Sequence, residues 1–202
     1  MIVELAGLPG SGKSTIARLL AEQDVGITSQ LLAPHWLGIM HHPVPTLREA
    51  IRWEGLRLTS GWPAWPRLWL RALGQRTLRD RPGVTQILEE GIIHHLWRSC
   101  FLHPALVDGP WAALLDQPHP VLVLEVAPAT RLKRLGLKRA KGKVNRVLSE
   151  SGVEGDPWRR GDQLFEQILA SAGKMRKIVR VSTGGQVREA AERVREAMDA
   201  LG

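Results

Sequence analysis

The sequence predicts an α/β protein built on a doubly wound parallel sheet, and three observations carry that prediction. A glycine-rich loop, Gly7-Leu8-Pro9-Gly10-Ser11-Gly12-Lys13-Ser14, joins an apolar strand to a helix. Val121-Leu122-Val123-Leu124-Glu125-Val126 is apolar at nearly every position, the mark of an interior parallel strand covered on both faces. Strand-like and helix-like segments alternate between and after these two landmarks.

In order, Ile2 to Ala6 form the first strand, and a helix beginning near Lys13 follows the loop. Its pattern over residues 14–22 places Ile16, Leu19 and Leu20 on the buried side. Residues 25–28 read as a short strand. Residues 46–59 and 66–80 read as helices; the first opens with Thr46 and Glu49 at capping-box spacing, and the second ends before Arg81-Pro82-Gly83. A strand over 84–89 follows, then the apolar strand at 121–126, and Pro128 opens a basic helix. A last strand spans 177–182. Val187, Ala190, Ala191, Val194, Ala197, Met198 and Leu201 then recur at helical spacing, so the chain closes with a helix packed on the sheet. At 202 residues and 44% apolar content, one domain over residues 1–202 is expected.

The loop carries the most specific chemistry. Its glycines let backbone N–H groups turn inward around an anion, and the positive end of the following helix dipole reinforces them. Lys13 is placed to reach the outer phosphates of a bound nucleoside triphosphate. Ser14 offers the hydroxyl that a phosphate-bridging Mg²⁺ needs, while Thr15 is expected to pack against the helix base.

Charge is informative once it is located. The net charge is +8, and residues 126–149 hold eight bases (Arg131, Lys133, Arg134, Lys138, Arg139, Lys141, Lys143, Arg146) and no acid, which leaves 20 bases against 20 acids elsewhere. A second basic stretch runs from Arg48 to Arg81. The single cysteine, Cys100, lies among apolar neighbours and reads as a buried structural thiol. The first apolar run is too short for a signal sequence, and no stretch approaches the roughly 18 apolar residues of a membrane helix, so a soluble, cytoplasmic protein is expected.

A second landmark is Gln86-Ile87-Leu88-Glu89-Glu90-Gly91, a strand ending in paired carboxylates. In parallel sheets ligands occupy the crevice beyond the carboxyl ends of strands, so a carboxylate there can hold Mg²⁺ or accept a proton from a hydroxyl. Strand periodicity sends the two to opposite sides; Glu89 is assigned the metal and base role and Glu90 the positioning of an acceptor. Should neither serve, Asp108 and Asp116 are the next acids in sequence. Trp36, Trp53, Trp62, Trp65 and Trp69 crowd the region before this strand and are interleaved with Arg48, Arg52 and Arg57, a mixture that also suits single-stranded nucleic acid. His41-His42 and His94-His95 are adjacent pairs that diverge on any regular element, so no zinc site is assigned.

The loop form Gly-x-Pro-Gly-Ser-Gly-Lys-Ser-Thr, the strand-terminal acids and the basic helix together resemble the P-loop small-molecule kinases, the superfamily of adenylate, thymidylate, gluconate and deoxynucleoside kinases. The resemblance implies ATP as donor, held by Gly7, Leu8, Pro9, Gly10, Ser11, Gly12, Lys13, Ser14 and Thr15, with Mg²⁺ on Ser14 and Glu89. It further implies a helical acceptor-binding insertion over 34–81, in which His35, His41 or His42 could line the pocket. A basic lid over 126–149 is implied as well, opening at Pro128-Ala129-Thr130-Arg131-Leu132-Lys133-Arg134. Arg131, Arg134 and Lys138 share one helical face, as a clamp over the transferred group requires. Lys13, Glu89, Arg131 and Arg134 are thus the expected catalytic set. The expected reaction is γ-phosphoryl transfer to a small nucleoside, nucleotide or sugar-like acceptor. Two alternatives are a polynucleotide 5′-kinase acting on RNA or DNA, and a non-catalytic nucleotide-binding switch. The chain has no Asn-Lys-x-Asp guanine-reading motif, which speaks against the switch.

Overall fold

In a computed structural model, residues 1–30, 64–76, 78–102, 111–140 and 157–202 are described. Five strands, β1 (Ile2–Ala6), β2 (Ile27–Gln30), β3 (Thr85–Leu88), β4 (Val121–Glu125) and β5 (Ile178–Ser182), form one sheet in the order β2-β3-β1-β4-β5. Every neighbouring pair is parallel. The helices are α1 (Lys13–Gln23), α2 (Ala64–Arg76), α3 (Ile92–Leu102), α4 (Trp111–Leu115), α5 (Pro128–Ala140), α6 (Pro157–Ala172) and α7 (Val187–Asp199).

Two apolar clusters sandwich the sheet, as a parallel sheet requires. On one face Val3, Leu5, Ile87, Leu122 and Leu124 meet Ile16, Ala17 and Leu20 of α1 and Ala190, Ala191, Val194 and Met198 of α7. On the other, Ala6, Val121 and Val123 meet α3, α4 and α6 through residues such as Trp97, Phe101, Leu114 and Ile168. Each fully buried aliphatic or aromatic side chain here contributes about 1.5–3 kcal/mol relative to exposure.

The expected elements stand with small shifts of boundary. The second strand begins at Ile27 rather than Val25 because Asp24 caps α1 and folds back on the chain: its Oδ1 accepts from Gly26 N at 2.8 Å and its carbonyl from Ile27 N at 3.0 Å, which leaves Val25 fully exposed. The helix expected over 66–80 ends at Arg76, where Leu78 N already turns back to the Gln75 carbonyl. Leu19 is only partly buried, with Ala17 in the core instead. The helix expected over 46–59 lies outside the described residues. Two helices were not expected: α3, which is apolar around most of its circumference and so shows no clear period, and α6, although its Leu164, Phe165, Ile168, Leu169 and Ala172 recur at helical spacing.

One buried polar assembly was not expected. Glu4, in the middle of β1, is fully buried, accepts hydrogen bonds from Ile93 N and Gln75 Nε2 at 2.8 Å each, and forms an ion pair with Arg176, whose Nη2 lies 2.8 Å from Oε2. Gln75 Oε1 accepts from Ile92 N at 2.8 Å, so one carboxylate and one amide satisfy the first N–H groups of α3. A Cβ at Gly91 would lie 2.2 Å from Glu4 Cδ, which is why glycine precedes this helix. Arg176 Nε also donates to the His119 carbonyl at 2.8 Å.

Candidate functional site

The phosphate loop leaves β1 at Gly7 and enters α1 at Lys13. Gly10 and Gly12 hold φ of 89° and 99°, left-handed values that glycine adopts freely. At Gly10 there is a second reason: a Cβ would come within 2.9 Å of Arg131 Cγ. Gly12 caps α1 with no side-chain bond, and the first turn carries no acid, so the positive end of the helix is left for an external anion. Lys13 Nζ donates to the Gly7 carbonyl at 2.5 Å, bridging the loop from end to start. Ser14 and Thr15 are both exposed, so Thr15 does not pack against the helix base as expected.

Residues from three other elements brace the loop. Thr183, just past β5 and fully buried, places Oγ1 3.0 Å from the Ser11 carbonyl and 2.9 Å from the Glu125 carbonyl, its one proton shared between the two acceptors. Arg134 Nη1 lies 3.5 Å from the Gly10 carbonyl and 3.4 Å from that of Ser11, while its Nη2 donates to the Thr183 carbonyl at 3.2 Å. Arg193 holds the same turn by donating to Ser182 and Gly184 at 3.0 and 2.8 Å. Thr183 and Arg193 were not expected; nothing local in sequence links residue 183 to a loop 172 positions away.

Arg131 and Arg134 do share a face toward the loop, as their spacing requires. Their surroundings differ from the clamp expected of them. Arg131 is buried, and its Nη2 donates to both carboxylate oxygens of Asp162 in α6 at 2.7 and 2.9 Å, with the guanidinium 5.9 Å from the Trp158 ring. It is therefore a strut between α5, α6 and the back of the loop, not an open cation. Arg134 is the half-buried one of the two, next to the loop carbonyls. A cavity of about 310 Å³ opens beside them at the carboxyl ends of β4 and β5, lined by Leu8, Ser11, Val126, Arg131 and Phe165 among others. Lys141, Lys143 and Arg146 lie outside the described residues, as do His35, Trp36, His41, His42, Arg48, Arg52, Trp53, Arg57 and Trp62.

On the other side of β1, Leu88 of β3 is level with Glu4, so Glu89 and Glu90 leave the sheet close to where β1 gives way to the loop. The strand expected over 84–89 ends at Leu88, so the two carboxylates stand in a turn rather than on alternating strand positions, and they take different partners. Glu89 Oε1 accepts a hydrogen bond from Ser29 Oγ of β2, and Glu90 Oε1 faces His94 Nε2 at 3.9 Å. Asp116 cannot stand in for either: it binds Arg76 at 2.7 Å near the start of β4, at the opposite end of the sheet. Asp108 lies outside the described residues.

The two adjacent histidines differ. His95 accepts from Arg71 Nη1 of α2, is hydrogen-bonded to the Glu90 backbone, and is pushed down to about 3 by burial, with Arg71 and Arg98 adding to the effect. His94 is held well below its usual range by burial first and then by Lys13, the strongest of the neighbouring charges; His95, Arg98 and Arg71 act in the same direction. Both imidazoles are neutral at physiological pH, so Glu90 and His94 do not form an ion pair. Burial pushes the Cys100 thiol up to about 12, as befits the inert core residue expected. Among the described residues no group of three or more acids, histidines or cysteines could hold a metal ion, and no helix is long and apolar enough to cross a membrane.

No family model and no curated protein matches the sequence. Solved structures do. A deoxyadenosine kinase from M. mycoides with products dCMP and a flexible dCDP bound aligns over 100% of both chains at 12% identity and a TM-score of 0.58. The same enzyme with bound dATP aligns over 98% of this chain and 100% of its own, again at 12% identity, with a TM-score of 0.59. With dCTP bound the values are 99%, 100%, 12% and 0.57. Sheet order, loop position and these alignments agree, and the chain carries the fold of the P-loop small-molecule kinases.

Proposed function

We propose that this protein is an ATP- and Mg²⁺-dependent phosphotransferase, acting in the cytoplasm on a small nucleoside, nucleotide or sugar-like acceptor. The observation that carries the reading is the phosphate loop: two left-handed glycines, an uncompensated helix N-terminus and Lys13 folded over the loop's own carbonyl. An arriving β- or γ-phosphate offers Lys13 a stronger, charged acceptor than the Gly7 carbonyl. Ser14 and Glu89 supply hard oxygen donors of the type Mg²⁺ takes, with water and phosphate completing its shell. Mg²⁺ would neutralise the developing phosphate charge. Residues 7–15 would hold the donor; Lys13 would stabilise charge at the transferred group, and Glu89 would orient the metal and the incoming nucleophile.

The roles of Arg131 and Arg134 separate in this reading. Arg134, beside the loop carbonyls, would meet the nucleotide from the α5 side, while Arg131 acts at one remove by holding α5 to α6. Residues 126–149 would act as the lid and 34–81 as the acceptor insertion of one domain. Nucleotide-bound relatives of the fold support ATP as the donor.

The test is transfer from γ-labelled ATP to a panel of nucleosides, nucleoside monophosphates and sugars, with single-stranded RNA and DNA included at two salt concentrations. Label on a small acceptor supports the reading. Salt-sensitive oligonucleotide binding with label on the 5′ end would favour the polynucleotide kinase alternative, because strand binding needs several phosphate contacts and weakens steeply with salt. Tight nucleotide binding with no transfer to any of them would point to a switch.

A further inference from the structure

The first turn of α3 offers a contact pattern that the phosphate site does not use. His94 Nε2 and Glu90 Oε1 are 3.9 Å apart, too far for a direct hydrogen bond and close enough for one oxygen atom to touch both. The same turn is held rigidly. His95 bonds the Glu90 backbone and is itself bonded by Arg71, while Glu4 and Gln75 hold the N–H groups of Ile93 and Ile92. The pair also lies near the donor site: Leu88 of β3 is level with Glu4 of β1, so residue 90 stands beyond the carboxyl end of the strand, close to where the loop begins, and Trp97, one turn further along α3, lines a small hollow with Leu8 and Pro9 of the loop.

The tautomer of His94 follows from what surrounds it. Its Nδ1 is buried with no hydrogen-bond partner among the described residues. A buried N–H without an acceptor is rarer and more costly than a buried lone pair without a donor, so the proton belongs on Nε2. Nε2–H and the Glu90 carboxylate therefore stand side by side as one donor and one acceptor. We propose that Glu90 and His94 read a hydroxyl group of the phosphoryl acceptor, His94 donating a hydrogen bond to its oxygen and Glu90 accepting a hydrogen bond from its O–H. A hydroxyl both accepts and donates, and so satisfies both partners. A phosphate at neutral pH offers acceptors almost exclusively and would meet the charge of Glu90. The acceptor class this selects is a neutral alcohol, such as an unphosphorylated nucleoside or a sugar, rather than the phosphate of a nucleotide. The inference rests on the kinase reading above and narrows it.

The experiment compares wild type with His94→Leu, His94→Gln and Glu90→Gln, using γ-labelled ATP and two acceptor sets, unphosphorylated nucleosides and sugars against nucleoside monophosphates. Transfer to a hydroxyl compound is expected. His94→Leu should raise the KM for that compound about tenfold, the worth of one hydrogen bond, with the KM for ATP within twofold. His94→Gln, whose amide N–H falls near the position of Nε2, should recover most of the loss, which a merely structural role for His94 would not allow. Glu90→Gln should raise the acceptor KM similarly. Preferred transfer to nucleoside monophosphates would overturn the inference and leave the kinase reading standing. So would equal damage by Leu and Gln accompanied by a rise in the KM for ATP. No transfer to any acceptor by the wild type would reject the kinase reading and this inference with it.

Discussion

Glu4 and Glu90 lie within one helical turn of each other's surroundings at the start of α3, yet they are opposite kinds of carboxylate. Glu4 is fully buried and saturated: two neutral donors and the guanidinium of Arg176 take its oxygens at 2.8 Å each. Glu90 is half exposed, faces a neutral imidazole it does not bond, and keeps acceptor capacity in hand. Burial with full pairing makes a carboxylate part of the scaffold, whereas partial exposure with unused acceptor capacity makes it available to a ligand. The same contrast separates the two arginines of α5. Arg131 is committed to Asp162, while Arg134 rests on loop carbonyls that a phosphate can outbid.

The sharpest test of that division is at the open end of the sheet. Lys13→Ala should lower phosphoryl transfer by about 10³-fold or more while the chain still unfolds cooperatively, since it removes a charge that acts at the transition state and whose bond to the Gly7 carbonyl lies within the loop. Near-normal turnover would end the kinase assignment.

Glu89→Gln should come next. A loss of about 10²- to 10⁴-fold in kcat is expected with little change in the KM for ATP, because the amide keeps the Ser29 contact but neither holds Mg²⁺ as a carboxylate nor takes a proton. If Glu90→Gln reduced kcat more than Glu89→Gln, the two roles would be exchanged.

The scaffold side should answer in stability instead of rate. Arg176→Met leaves Glu4 charged, buried and short of a partner, at an expected cost of about 3–5 kcal/mol in denaturant unfolding. The double variant Glu4→Gln/Arg176→Met should recover much of that, as removal of both charges usually does. A single variant as stable as wild type would show that the pair is not the structural element described here.

The smallest expected effects concern Asp162 and acid stability. Asp162→Asn should loosen α5 and raise the KM for ATP several-fold while leaving kcat nearly intact, since Arg131 touches the loop from behind. For pH, His95 has a folded value of about 3, below its unfolded value near 6.5. Between those values the unfolded chain binds the extra proton, so the stability His95 contributes is complete above about pH 6.5 and is lost as pH falls toward 3. His95→Gln should flatten that limb of a pH–stability curve; an unchanged slope would mean that other groups set it.

The sequence by itself determined the sheet class, the loop and the positions of the two carboxylates beyond β3, because each is a local pattern. Strand β1, the loop and α1 are contiguous, and the apolar run of β4 announces burial on both faces without reference to any partner. Tertiary structure alone decided which charged groups are scaffold and which are free. Glu4 reads as a polar interruption in an apolar strand until Arg176, 172 positions later, and Gln75 arrive to satisfy it. Arg131 and Arg134 are indistinguishable as letters three apart on a basic helix. They differ because Asp162 comes from α6, a separate helix 31 positions further along the chain from Arg131, and because a charge's role depends on its desolvation and its partner, both of which long-range packing supplies.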